Sequence, residues 1–185
     1  MATPAGFPAS QGNVSGQGSP ARHGGSPLGA HPRDGVREAW RMIAVDTNLL
    51  VYAHREDSPW HDAAYARVAE LAEGRAPWAI PWPCLHEFLA IVTHPRIYAP
   101  PSPLAAATDQ VDAWLASPSL TLLAESEGYW LELKSMMRDG RIAGPLVHDA
   151  RVAALCRLHG VRELWTADRD FSRFHGVIFR NPMLR

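Results

Sequence analysis

The chain is predicted to be an α/β protein built on a parallel sheet of four to five short strands flanked by helices on both faces. Strand-length apolar runs alternate with helix-length stretches, and helix start and stop residues recur at the junctions. A length of 185 residues with 46% hydrophobic content and seven Trp suffices for one substantial core, not two. No internal repeat breaks the alternation.

The elements follow in order. Ile43-Ala44-Val45 reads as a short buried strand and residues 48–54 as a first helix. Ser58-Pro59 pairs an N-cap with a proline at the first helical position, opening a helix to about residue 73 that Gly74 stops. Residues 78–80 give a second strand, and Pro83 opens a helix through about residue 93. Ser102-Pro103 repeats the cap signature for a helix ending near residue 117. Residues 120–123 form a third strand, 125–139 a helix closed at Gly140, and 145–159 a helix closed at Gly160. Residues 163–166 are the fourth strand and 177–179 a short fifth.

Residues 1–41 hold eight Gly, five Pro and four Ser with no apolar periodicity. Such a composition cannot offset its ordering entropy, so this stretch is expected to be a disordered leader, with Met42 as an alternative native start ahead of the first strand. The domain itself is residues 42–185. No run has the length of a signal-peptide core or a membrane span, which points to the cytoplasm and to no membrane partner. Cys84 and Cys156 lack metal-ligand spacing and read as small core residues in a reducing compartment. From residue 42 onward 14 Lys plus Arg face 17 Asp plus Glu, so a broad basic surface for nucleic acid is excluded. Any nucleic acid would meet a local Arg patch, for which Arg55, Arg96, Arg169 and Arg173 are the candidates.

Four acids stand where solvated surface charges are not expected. Asp46 ends the first apolar strand, Glu87 lies inside Leu85-His86-Glu87-Phe88-Leu89, and Asp149 and Asp168 border two further apolar stretches. Desolvating a charge costs several kcal/mol unless a cation compensates. Glu87 and Asp149 have no basic residue four positions away on their helices to do so. In a parallel sheet the segments after each strand gather at the carboxyl edge, where ligands bind in open α/β folds. From Asp149 the helix runs out by about 16 Å and the following strand returns by about 13 Å, which brings Asp168 back near Asp149. Like charges about 4 Å apart repel by about 4 kcal/mol at an effective dielectric near 20, and a divalent ion relieves this. Oxygen-only ligation suits Mg²⁺ or Mn²⁺ rather than zinc.

Val45-Asp46-Thr47-Asn48, the isolated Glu87, Asp149 opening an apolar helix, and Thr166-Ala167-Asp168-Arg169-Asp170-Phe171 together resemble the PIN domain, most closely the VapC-type ribonuclease toxins. The resemblance spans nearly all of residues 42–185 and implies a PIN-like three-layer fold. It further implies a Mg²⁺-dependent endoribonuclease, with Mn²⁺ as a substitute, that acts as the toxin of a toxin-antitoxin pair. Such a toxin is a homodimer, cuts RNA, and is inhibited by a small cognate antitoxin. By the same resemblance Asp46, Glu87, Asp149 and Asp168 are the catalytic and metal-holding acids. Asn48 and Thr166 are assigned to hydrogen-bonding around them, and Asp170 is a peripheral fifth acid.

Competing readings stay open at this point. Asn48 and Thr166 are equally a helix-start residue and a strand-end hydroxyl, and His86 and His148, each preceding an acid, read as helix-face residues. Trp60, Trp78, Trp82 and Trp165 read as core or dimer anchors. The apolar set Leu85, Phe88, Leu89, Val92, Trp82, Ile97, Val111, Trp114 and Leu115 exceeds what one short helix buries, so part of it is expected to face a second chain. The alternative functions are a PIN-like module that binds RNA or protein without cutting, and a phosphatase working through an aspartyl-phosphate at Asp46. The phosphatase would expect an acid two residues on, where Asn48 stands.

Overall fold

The strands β1 (Ile43–Val45), β2 (Trp78–Pro81), β3 (Leu120–Leu123), β4 (Glu163–Trp165) and β5 (Ile178–Arg180) form one sheet in the order β3-β2-β1-β4-β5, with every neighbouring pair parallel. This computed structural model describes residues 42–184, so the leader expected at 1–41 lies outside the described residues. All four residues of β2 are buried, as are Ala44 and Val45 of β1, which is why these strands read as apolar runs without alternation. The edge strands β3 and β5 are more exposed.

Among the described residues six α-helices cover the sheet: α1 (Thr47–His54), α2 (His61–Glu73), α3 (Trp82–Val92), α4 (Leu104–Leu115), α5 (Tyr129–Asp139) and α6 (Leu146–Leu158). Helix α1 packs on α2 and α3, α3 on α4, and α5 on α6, while β2 touches both α3 and α6. The core runs through Leu49, Leu50, Trp78, Ile80, Phe88, Leu123, Leu155, Leu164 and Phe171. No helix among the described residues is long and apolar enough to cross a membrane.

Strand order determines where a ligand can bind. From β1 the chain proceeds outward through β2 and β3, then returns to place β4 on the other side of β1. The direction of winding therefore reverses between β1 and β4, and a crevice opens at their carboxyl ends. Val45 is in register with Trp165, and the Asp46 amide extends the pairing by donating to the Trp165 carbonyl at 3.0 Å.

The element starts shift from the sequence expectation for identifiable reasons. Helix α2 begins at His61 because Ser58 and Pro59 form a turn in which Ser58 Oγ accepts from the Trp60 amide. Helix α4 begins at Leu104 with Pro103 at the cap, since the Ser102 hydroxyl is engaged by His54 and Arg55 instead. Helix α5 begins at Tyr129, after a turn closed by the Tyr129 amide on the Ser126 carbonyl and carried by Gly128 at φ +87°. β5 lies one residue later than expected, and Thr166 falls just beyond β4.

Most of the apolar excess around α3 is buried within the chain. Leu85, Phe88, Val92 and Trp114 are buried, and Leu89 and Val111 are packed against the core, whereas Trp82, Ile97 and Leu115 stay exposed. Trp78 and Trp165 are core residues, and Trp60 is exposed. Both cysteines are free thiols in the interior.

Candidate active site

Asp46 leaves β1 at the reversal point and caps α1, its Oδ1 accepting from the Thr47 amide at 2.8 Å. The register of β1 with β4 puts Thr166 beside it, and Thr166 Oγ1 donates to Asp46 Oδ2 at 2.7 Å. Asn48, two residues into the next segment, donates its amide to Asp46 Oδ2 at 2.6 Å and to Thr166 Oγ1 at 3.0 Å. Its carbonyl Oδ1 accepts from the Ala167 amide at 2.9 Å, and Thr166 Oγ1 accepts from the Asp168 amide at 3.0 Å. One polar network thus joins the ends of β1 and β4 and orients the segment that carries Asp168.

Asp46 is only 5% exposed. Burial pushes its carboxyl up to about 6, against the hydrogen bonds from Thr166 and Thr47 that favour the charged form, and repulsion by Glu87 adds to the rise. Below it the Cys84 thiol, which burial keeps well above its usual range and therefore protonated, points Sγ at Asp46 Oδ1 across 3.7 Å. That contact is a weak one.

The other acids arrive on separate elements. Glu87 lies on α3 and its Oε2 accepts from the Thr47 hydroxyl at 2.7 Å, so the residue after Asp46 ties α3 to the start of α1. Asp149 is in the first turn of α6, and Asp168 caps a short 3-10 helix (Arg169–Arg173) by accepting from the Asp170 amide at 2.8 Å. Burial raises the Asp149 carboxyl, and repulsion from Asp168, Glu87 and Asp170 raises it further, partly opposed by His148. The length argument that returned Asp168 to Asp149 holds: both line one cavity of about 320 Å³ together with Asp46 and Glu87.

This arrangement bears on whether a divalent ion fits. The donor set is all carboxylate oxygen, Glu87 raises the proton affinity of Asp46 and, with Asp168, that of Asp149, and among the described residues none of the four forms an ion pair with Lys, Arg or His. Yet among those residues no three His, Cys, Asp or Glu side chains stand close enough to enclose an ion. The acids ring a cavity rather than close a cage, which suits a hard ion that keeps waters in its shell and takes further ligands from a substrate. In donor chemistry the residues fit a hard divalent ion, and they do not form a dedicated all-protein cage.

The remaining candidates separate. Asn48 and Thr166 are in direct contact with Asp46, while Asp170 is outside the cavity lining and pairs with Arg173 at 3.0 Å. Arg169 lines a neighbouring hollow that shares Asp168 with the acidic cavity. Arg55 is bound to Asp57, Pro100 and Ser102, and Arg96 is an exposed loop residue; neither lines the cavity. His86 is stacked on Trp82, and neither it nor His148 lines the cavity. Sequence reasoning missed Thr47, and it also missed an apolar part of the lining, Val51, Tyr52, Ile91, Tyr98 and Phe171. Helical spacing marks two of these, because Tyr52 is four residues after Asn48 and Ile91 four after Glu87. Tyr98 sits in a loop and leaves no such signal.

The profile of the PIN domain family matches residues 43–177. Ribonuclease VapC48 of Mycobacterium tuberculosis is 31% identical over 137 residues, covering 74% of this chain and 94% of its own. Ribonuclease VapC43 of the same organism is 33% identical over 142 residues, covering 77% and 96%. Two solved structures share the fold. One is VapBC2 from Rickettsia felis bound to a promoter DNA fragment (TM-score 0.56, 18% identity, 75% of this chain and 97% of that one). The other is Mycobacterium tuberculosis VapC20, described as a Sarcin-Ricin loop cleaving toxin (TM-score 0.51, 16% identity, 70% and 92%).

Proposed function

Because the chain belongs to the PIN domain family, we propose that it is a divalent-metal-dependent endoribonuclease acting as the toxin of a toxin-antitoxin pair. The observation that carries this reading is the meeting of Asp46, Glu87, Asp149 and Asp168, from four separate segments, around one cavity at the reversal point of the sheet. These four acids are assigned as the residues that hold the ion, Mg²⁺ by preference and Mn²⁺ in its place. When bound, such an ion supplies Lewis acidity, making water more acidic and offsetting charge that gathers on the scissile phosphate.

The chain's own residues do the rest. Thr166 and Asn48 hold the orientation of Asp46, and Thr47 holds that of Glu87. Asp168 and Asp149 reach the same cavity from the cap of the 3-10 turn and the first turn of α6. An aspartyl-phosphate at Asp46 is disfavoured, since the second acid such an enzyme expects two residues on is replaced by Asn48.

The proposed partners are an RNA substrate, a small protein antitoxin and a second copy of the chain, all in the cytoplasm. Homodimer formation is supported by the exposed Trp82, Ile97, Leu104 and Leu115 on and beside α3 and α4. Purified protein is expected to cut single-stranded RNA with added Mg²⁺ or Mn²⁺ and to stop with EDTA. Asp46→Asn should lose at least about 100-fold in rate. Retained cleavage in that variant would remove the site from consideration.

A further inference from the structure

The acidic cavity is lined by more than acids. Tyr98 stands in the same wall as Tyr52 and Ile91, groups with no use for an ion or a phosphate. Its ring is backed by the Arg55 guanidinium, 4.1 Å from the ring centroid. Arg55 is itself fixed: it binds Asp57 through two nitrogens, and donates to the Pro100 carbonyl and the Ser102 hydroxyl at 3.2 Å each. The Arg55 side chain is 11% exposed and is absent from the cavity lining, to which Tyr98 belongs.

These contacts recast Arg55. An arginine whose donors are committed to its own chain is not free to clamp a phosphate; it is a rigid support that keeps one face of Tyr98 covered and the ring in place. We infer, resting on the nuclease reading above, that Tyr98 is a nucleobase platform: the base of the nucleotide whose phosphate enters the acidic cavity stacks on the cavity side of its ring. Three features point the same way. Aromatic rings accept any base by its π face, the cation behind the ring strengthens the stack, and the carboxylates in the same cavity fix where the phosphate must lie. With its other face occupied, the ring offers room for one base, so Tyr98 is a positioning residue for a single nucleotide.

The experiment is a cycle between residue and base. Affinity is measured in Mg²⁺ for a short oligouridylate and for the same ribose-phosphate backbone without bases, on the Asp46→Asn background so that neither strand is cut. Tyr98→Leu is expected to weaken oligouridylate binding about tenfold and to leave the abasic strand unchanged, while Tyr98→Phe keeps the preference. Equal loss on both strands, or no loss on either, overturns the platform. If Tyr98→Leu fails to melt cooperatively, Tyr98→Trp serves in its place: its larger face should raise the preference for the base-bearing strand, and an unchanged preference overturns the proposal. The two readings fail separately. Base coupling without any cleavage by the wild-type protein would reject the nuclease and keep the platform, and cleavage without coupling would do the reverse.

Discussion

Asp46 gathers donors from Thr47, Asn48, Cys84 and Thr166, and its acidity is nevertheless weakened, because burial outweighs all of them. The sign of the linkage follows. A folded-state value of about 6 against an ordinary 3.8 means that the folded chain holds the proton more tightly, so this residue's contribution is full below pH 4 and is lost as the pH rises through 6. In EDTA, melts of the wild-type protein relative to Asp46→Asn should therefore show stability declining over that window, by up to about 3 kcal/mol. A relative gain over the same window would refute the burial argument. Thr166 is the other pivot, since its single hydroxyl serves Asp46, Asn48 and the Asp168 amide. Thr166→Val should cost about 1–3 kcal/mol in urea titration and lower kcat more than it raises KM, with Thr166→Ser recovering most of both. The acids themselves were legible as charges set among apolar neighbours. The grip of Thr47 on Glu87, and Tyr98 in the wall, were not, because contacts across tens of residues leave no local pattern.

At the scale of elements, helix stops were easier to read than helix starts. Gly74, Gly140 and Gly160 each stand at or just past a helix end as expected. Starts depended on what else the capping side chain had to do: Ser102 is a good N-cap by type, but its hydroxyl lies 3.0 Å from His54 Nε2 and accepts from Arg55, which fixes the α3–α4 connection against α1. Local propensity cannot foresee such competition. Helix α5 offers a clean test, because its entry rests on Gly128 in the left-handed region with open space around it, only Leu158 Cδ1 lying within reach of an added Cβ at 3.7 Å. Gly128→Ala should lower the unfolding free energy by about 1–2 kcal/mol, read as a lower urea midpoint at constant m, and Gly128→Asn by less, since Asn tolerates that conformation.

For the molecule as a whole, the parallel sheet and the gathering of acids at its carboxyl edge were predictable from alternation alone. The strand order was not, because it is decided by which helices pack on which face rather than by any single segment. The expected closeness of the acids was also overstated, as they surround a cavity instead of touching. If one ion links segments from β1, α3, α6 and the β4 exit, its binding is folding free energy: at 100 times its dissociation constant it adds about 2.7 kcal/mol. Mg²⁺ should accordingly raise the melting temperature of the wild-type chain, EDTA should reverse the gain, and Asp149→Asn should abolish most of it. An increase of equal size in Asp149→Asn would show that the ion binds elsewhere.

The bond between Thr166 and Asp46 joins positions 120 residues apart. During synthesis the Asp46 side of the cleft thus waits, without its partner strand, until the chain has been extended through β4. The buried network around Asp46 is therefore completed late, when β4 adds beside β1.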